Sequence, residues 1–141
     1  MMLLLSLSWL ALGAAGQTDS WTISWNRKVL LKATQENDSA NHRSLRRSEL
    51  TRNRYLEISF REGQSKNLKA LRRSFLIFDE NDREVWKKDS TRLARIDGAT
   101  LLKLAEGHTT LKIYTIAVPS DPRLAARVRV RRVHLCSLEL Q

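Results

Sequence analysis

Apolar and polar residues alternate in short runs along most of this chain, which is the pattern of half-buried β-strands. The alternation is cleanest over residues 110–118, where Leu111, Ile113 and Thr115 share one face. Other segments alternate in the same way or are apolar throughout, and they predict further strands: 21–25, 29–33, 55–60, 73–78, 84–87 and 91–96. A short strand around His42–Leu45 is predicted within a polar connecting segment.

Two short helices are predicted between these strands. Asp97 precedes residues 99–106, whose leucines would supply a buried side, and Gly107 would end that helix. Asp121 followed by Pro122 is a typical cap and first helical residue, so one further turn is predicted there.

The end of the chain predicts a last strand over residues 127–135. Alternation holds through Val130 and then slips by one position at Arg131–Arg132. A slip of one residue within a strand is the effect of a β-bulge, so we expect a bulge at those two arginines.

These elements together predict an all-β protein of about seven strands, with one or two short helical turns. The helices are too few and too short to cover a parallel sheet. We therefore expect an antiparallel two-sheet β-sandwich in a single domain.

One part of the pattern resembles immunoglobulin-like and fibronectin-like domains. There, a strand leads through a leucine-bearing helical turn and a glycine into a long apolar strand, here Leu93–Ile96, Leu101–Leu104, Gly107 and Thr110–Val118. The resemblance implies an immunoglobulin-like sandwich. The cysteine–tryptophan–cysteine signature of immunoglobulin domains is absent, and the resemblance assigns no functional residue.

The first sixteen residues have the pattern of a signal peptide. A short apolar run is followed by small residues, with Ala14 and Gly16 in the small-x-small arrangement of a cleavage site. The run is shorter than the roughly 20 residues that span a bilayer, and no later segment is a transmembrane candidate. The sequence predicts export to the periplasm or the extracellular space, cleavage near Gly16, and one domain over residues 17–141.

The composition is strongly basic, with a formal net charge of +10, and 17 of the 25 basic residues are arginine. Arginine pairs well with carboxylate, sulfate and phosphate groups. Anionic polysaccharide, lipid head groups and acidic protein surfaces are therefore the partners that charge favours. The alternative is that the charge only keeps a small domain soluble. Nucleic acid is disfavoured, because aromatic residues are few and Trp21, Trp25 and Trp86 are predicted in the core.

Arg127, Arg129 and Arg131 are the candidate anion-contacting residues. On the predicted last strand they would share one face at intervals of about 6.8 Å. That row could follow a repeating anion. The alternative is a charged outer face that protects the edge of a terminal strand.

Sequence motifs for catalysis, cofactors or metals are weak. His134 and Cys136 are two apart on the predicted strand and would share a face, as half of a metal site or as a thiol–imidazole pair. A structural zinc site needs four ligands, and His42 and His108 are isolated in the sequence, so packing is the favoured interpretation for both. Asp79–Glu84 is rich in carboxylates yet lacks the glycine of a calcium-binding loop, so a hairpin turn is favoured. No catalytic residue, cofactor or metal ligand is predicted.

The function predicted from the sequence is a non-catalytic exported binding domain that contacts an anionic or protein component of the cell envelope. Two alternatives stay open at this point. One is a structural or accessory subunit that completes a partner's sheet, and the other is a small hydrolase.

Overall fold

The computed structural model describes residues 18–63 and 71–141, and most of that part of the chain is β-strand. The elements in chain order are β1 (Ser20–Trp25), β2 (Lys28–Ala33), β3 (His42–Leu45), β4 (Tyr55–Arg61), β5 (Leu71–Asp79), β6 (Glu84–Lys88), β7 (Leu93–Asp97), α1 (Gly98–Leu104), β8 (Thr110–Pro119), α2 (Pro122–Ala125) and β9 (Val133–Leu140). The predicted signal peptide, residues 1–16, lies outside the described residues and stays a prediction.

The strands form two sheets, which confirms the predicted all-β sandwich. The four-stranded sheet has the order β2-β1-β4-β7 and is antiparallel throughout. The five-stranded sheet has the order β3-β9-β8-β5-β6, and β3 runs parallel to β9 within it. Nine strands in the described residues replace the predicted seven or so, and one parallel pair interrupts the predicted antiparallel arrangement.

The hydrophobic core lies between the two sheets, and the period of two along each strand places it there. In β1, Trp21, Ile23 and Trp25 are buried, and the residues between them are half-buried. In β8, Leu111 and Ile113 are fully buried, as their alternation predicts. Burial of these apolar faces supplies the main driving force for folding.

Helix α1 links β7 of one sheet to β8 of the other. The Asp97 side chain accepts a hydrogen bond from the Thr100 N–H at 2.9 Å, which confirms the predicted cap. The helix starts at Gly98, where a Cβ atom would lie 2.1 Å from the Thr51 carbonyl oxygen, so only glycine allows this close approach. Among the described residues, neither helix is long or apolar enough to cross a membrane.

The last strand differs from its prediction in both extent and position. Alternation over residues 127–135 predicted one strand, but β9 begins only at Val133. It also lies between β3 and β8, so it is not an edge that arginines would need to protect. The prediction that Arg127, Arg129 and Arg131 share one face of a strand is therefore wrong, because these residues precede β9 and do not lie in a strand.

The bulge of β9 lies at Leu135 and not at the two arginines predicted. Across the β8–β9 pair, Ile113 faces Cys136 whereas Tyr114 faces His134, which leaves Leu135 as the extra residue. Cys136 therefore lies on the core face of the sheet, and His134 lies on its outer face beside Tyr114. The prediction that His134 and Cys136 share a face is wrong, because the bulge falls between them.

Candidate binding surface

The β8–β9 connection, residues 120–132, begins with a helix that its sequence specifies locally. Pro119 ends β8, and the Asp121 side chain accepts a hydrogen bond from the Arg123 N–H at 2.9 Å. Pro122 takes the first helical position, where its missing N–H costs nothing. These residues confirm the predicted helical turn, here α2, and they fix how the connection leaves the sheet.

Three of the six exposed large apolar side chains in the described residues lie along this connection. Leu124 and Val128 are each 49% exposed and Val130 is 41% exposed. Elsewhere in the described residues, exposed large apolar side chains are dispersed: Val29, Leu93 and Leu102. Single exposed apolar residues are ordinary, whereas a cluster of them indicates an interaction site.

Three arginines are interleaved with these aliphatic residues. Arg123, Arg127 and Arg129 are exposed, and their guanidinium groups make no hydrogen bond or ion pair with any described residue. Asp121 is the one acidic residue within residues 120–132, and its carboxylate caps α2. The connection is therefore a positively charged surface whose charges are available to a partner.

The final two arginines of the connection serve the fold instead. Arg131 forms an ion pair with Glu36. Arg132 donates to both carboxylate oxygens of Asp82, at 2.7 and 2.9 Å, and lies 4.5 Å from the centre of the Tyr114 ring. These contacts anchor the end of the connection next to β9.

The three arginines predicted to contact an anion thus separate into two groups. Arg127 and Arg129 remain exposed and without a partner among the described residues, whereas Glu36 engages Arg131. The structure adds Arg123, one helical turn before Arg127, which the search for a strand face missed. The signal that could have found it is the Asp121–Pro122 start of the helix.

Two arginines of the basic stretch 43–54 have structural partners. Arg43 Nε donates to the Leu30 carbonyl oxygen at 2.7 Å, which ties β3 to the opposite sheet. Arg47 Nη1 donates to the Ala105 carbonyl oxygen at 3.0 Å, just after α1. The basic stretch 43–54 is therefore partly committed to the fold.

His134 lies between a hydroxyl and a carboxylate on the outer face of the five-stranded sheet. Its Nε2 is 2.8 Å from Ser137 Oγ, and its Nδ1 is 3.2 Å from Asp38 Oδ1. This is the order of groups in a nucleophilic triad. However, Nδ1 is buried, and its contact with Asp38 does not have the geometry of a hydrogen bond. The Asp38 side chain is 95% exposed, and the backbone N–H of Ser137 donates to the Asn41 carbonyl oxygen. The contacts favour a structural role, holding the segment between β2 and β3 against β9.

The burial of His134 predicts a pH-dependent stability. Burial lowers the pKa of its imidazole, although the Asp38 and Glu36 carboxylates act in the opposite direction. Because the unfolded chain binds this proton more readily, the stabilisation is complete above about pH 6.5. It is lost as the pH falls through the lowered pKa of the folded state. We expect the free energy of urea unfolding to decrease less between pH 7.5 and pH 5.5 for His134→Gln than for the parent protein. The control is His42→Gln. Equal decreases for the parent and both variants would contradict this prediction.

The only cysteine in the chain, Cys136, is fully buried in the core. Burial raises the pKa of its thiol to about 12, so the reactive thiolate is scarce at neutral pH. We expect a thiol reagent to label the native protein only at the rate of unfolding, and to label it completely in denaturant. Fast labelling of the native protein at pH 7 would contradict this placement.

The carboxylate-rich segment after β5 is a hairpin turn. Asp79 is 2% exposed, and its Oδ1 accepts hydrogen bonds from the Asn81 and Arg83 N–H groups at 2.8 and 3.0 Å. Those hydrogen bonds lower the pKa of Asp79, with the nearby His108 contributing. Within the part of the chain that the structure describes, no three acidic, histidine or cysteine side chains are placed to hold a metal ion.

The β8–β9 connection thus combines three exposed aliphatic side chains with three arginines that have no partner among the described residues. Its residues are brought together by one short helix and two anchoring ion pairs. No protein-family model matches this chain, and no curated protein is significantly similar to it in sequence.

Proposed function

We propose that this protein is a non-catalytic exported domain that binds an anionic component of the cell envelope through the β8–β9 connection. The observation that carries the proposal is the set of three exposed arginines, Arg123, Arg127 and Arg129, without an acidic partner among the described residues. Guanidinium groups form paired hydrogen bonds with phosphate, sulfate and carboxylate groups. Charges clustered within a Debye length of about 8 Å act together at physiological salt.

A comparison of two charge-matched triple variants tests this proposal. One carries Arg123→Gln, Arg127→Gln and Arg129→Gln, and the control carries three arginines changed elsewhere on the exposed surface: Arg46→Gln, Arg52→Gln and Arg61→Gln. Arg43 and Arg47 are unsuitable as controls, because they hold backbone carbonyl groups.

The measurement is binding to heparin, used as a model polyanion, at two salt concentrations. We expect the variant of the connection to lose about tenfold in affinity, equivalent to about 1.4 kcal/mol, and the control to lose much less. Equal losses would mean that binding reflects bulk charge. Absence of heparin binding by the parent protein at physiological salt would exclude an anionic polysaccharide as that component.

A second candidate function, completion of a partner's sheet, is favoured by the edges of the four-stranded sheet. Edge strand β2 carries Val29, which is 57% exposed, and edge strand β7 carries Leu93, which is 47% exposed. An exposed edge with apolar residues can pair with a strand of another chain. A Leu93→Lys variant that still co-purifies with the native partner would argue against pairing at β7.

A further inference from the structure

We propose that the anionic component is a phospholipid surface, on which the β8–β9 connection lies with its aliphatic side chains inserted among the head groups. The inference rests on the proposed function and identifies the class of partner. It starts from the interleaving of charge and apolar area along a single segment: Arg123, Leu124, Arg127, Val128, Arg129 and Val130.

The aliphatic half of this set decides between anionic partners. Leu124, Val128 and Val130 are each between 41% and 49% exposed, and a hydrophilic polysaccharide would leave that area in contact with water. At a membrane interface, aliphatic side chains enter the boundary between head groups and acyl chains. The arginines extend from the same segment to the level of the lipid phosphates.

The neighbouring face of the five-stranded sheet has the same mixed chemistry. A hollow of about 290 Å³ is lined there by Arg72 and Lys87 together with Ile116 and Val118. Val118 lies two residues before the connection and faces Arg72 across the β5–β8 pair. Basic and apolar residues therefore also line the sheet next to the start of the connection, although Asp89 lines the same hollow, pairs with Lys87 at 3.5 Å and accepts a hydrogen bond from Ser74.

The connection is also held in place at both ends, which limits the entropy that it would lose on binding. Asp121 caps α2 at the beginning, and Glu36 and Asp82 pair with Arg131 and Arg132 at the end. The residues between these anchors are the exposed ones. A surface that is ordered before it meets a membrane binds more tightly than one that must be ordered on contact.

Vesicle flotation with the whole chain tests the inference. The vesicles are neutral phosphatidylcholine, with or without about one third of anionic phosphatidylglycerol, since each basic residue near an anionic surface strengthens binding several-fold. The apolar residues at the start of the chain are shared by all variants, so the neutral vesicles report their contribution. Three proteins are compared with the parent: the arginine triple described above, its charge-matched control, and Leu124→Ser with Val128→Ser and Val130→Ser.

We expect the parent to prefer anionic over neutral vesicles by about a hundredfold, and the arginine triple to lose that preference. The variant with three serines should bind anionic vesicles with about tenfold lower affinity than the parent, while its affinity for heparin is unchanged. All six positions are exposed, so the thermal unfolding of both triples should match the parent, and a common unfolding temperature excludes misfolding as the cause of a loss.

Two results would overturn the inference and leave the proposed function standing. One is heparin binding that depends on the three arginines together with no preference for anionic vesicles. The other is a serine triple that binds anionic vesicles as tightly as the parent does. Absence of binding to both heparin and vesicles would overturn the proposed function and the lipid inference together.

Discussion

Replacing Glu62 by alanine is expected to lower the free energy of unfolding by about 3–5 kcal/mol, because it leaves a buried arginine without its counter-charge. Arg73 Nε and Nη2 lie 2.6 and 3.0 Å from the two carboxylate oxygens of Glu62, and the side chains are 6% and 7% exposed. Without Glu62, Arg73 keeps a 3.1 Å hydrogen bond to Thr115 and a contact with the Phe60 ring. Neither replaces the hydration that the guanidinium group loses on burial.

A second ion pair of the same kind serves as the control. Arg95 Nε lies 2.8 Å from Glu57 Oε2, but the Arg95 side chain is 61% exposed, so Glu57→Ala should change stability only slightly. Urea unfolding of the two alanine variants measures the difference. Equal destabilisation would mean that burial of the Arg73–Glu62 pair contributes nothing of its own.

Removing both charges of the buried pair separates a lost interaction from an isolated charge. The double variant Arg73→Met, Glu62→Leu should recover most of the stability lost in Glu62→Ala, since apolar residues of similar size can replace a buried ion pair. A double variant as unstable as the single one would show that the pair is needed for its geometry.

Replacing Ile113 by alanine is expected to cost about 2–5 kcal/mol through the cavity that it leaves. Ile113 lies in the middle of β8 with no exposed area, and it faces Ile77 on one neighbouring strand and Cys136 on the other. Strands on both sides restrict the collapse of the structure into the cavity.

The same strand supplies the control for this substitution. Ile116 lies on the outer face of β8 and is half-buried, so Ile116→Ala removes the same atoms with a smaller loss of packing. The midpoint of urea unfolding compares the two variants. An unchanged midpoint for Ile113→Ala would contradict its place in the core.

Local chemistry made the strands and helix starts predictable from the sequence. The alternation in β8 names its buried residues, because the period of two along a strand holds wherever the strand packs. Asp97 and Asp121 were predicted as caps, because a carboxylate bonds to N–H groups only two or three residues away. These predictions needed no knowledge of any distant part of the chain.

The predicted arginine row failed because alternation does not reveal whether a strand has a partner. Residues 127–130 alternate between arginine and valine as a strand would, yet they lie in the β8–β9 connection. The backbone there would have needed a neighbouring strand, and pairing of β9 begins only at Val133. The same alternation instead interleaves charge and apolar area along an exposed segment.

The sequence by itself determined that this chain is a basic all-β sandwich, because period, turn composition and charge are properties of neighbouring residues. Only the tertiary structure decided which arginines are free. Glu36 engages Arg131 across a separation of 95 residues, and Trp21 Nε1 donates to the carbonyl of the bulge residue Leu135 across 114. Such partners depend on how the two sheets stack and on strand register, which long-range packing sets.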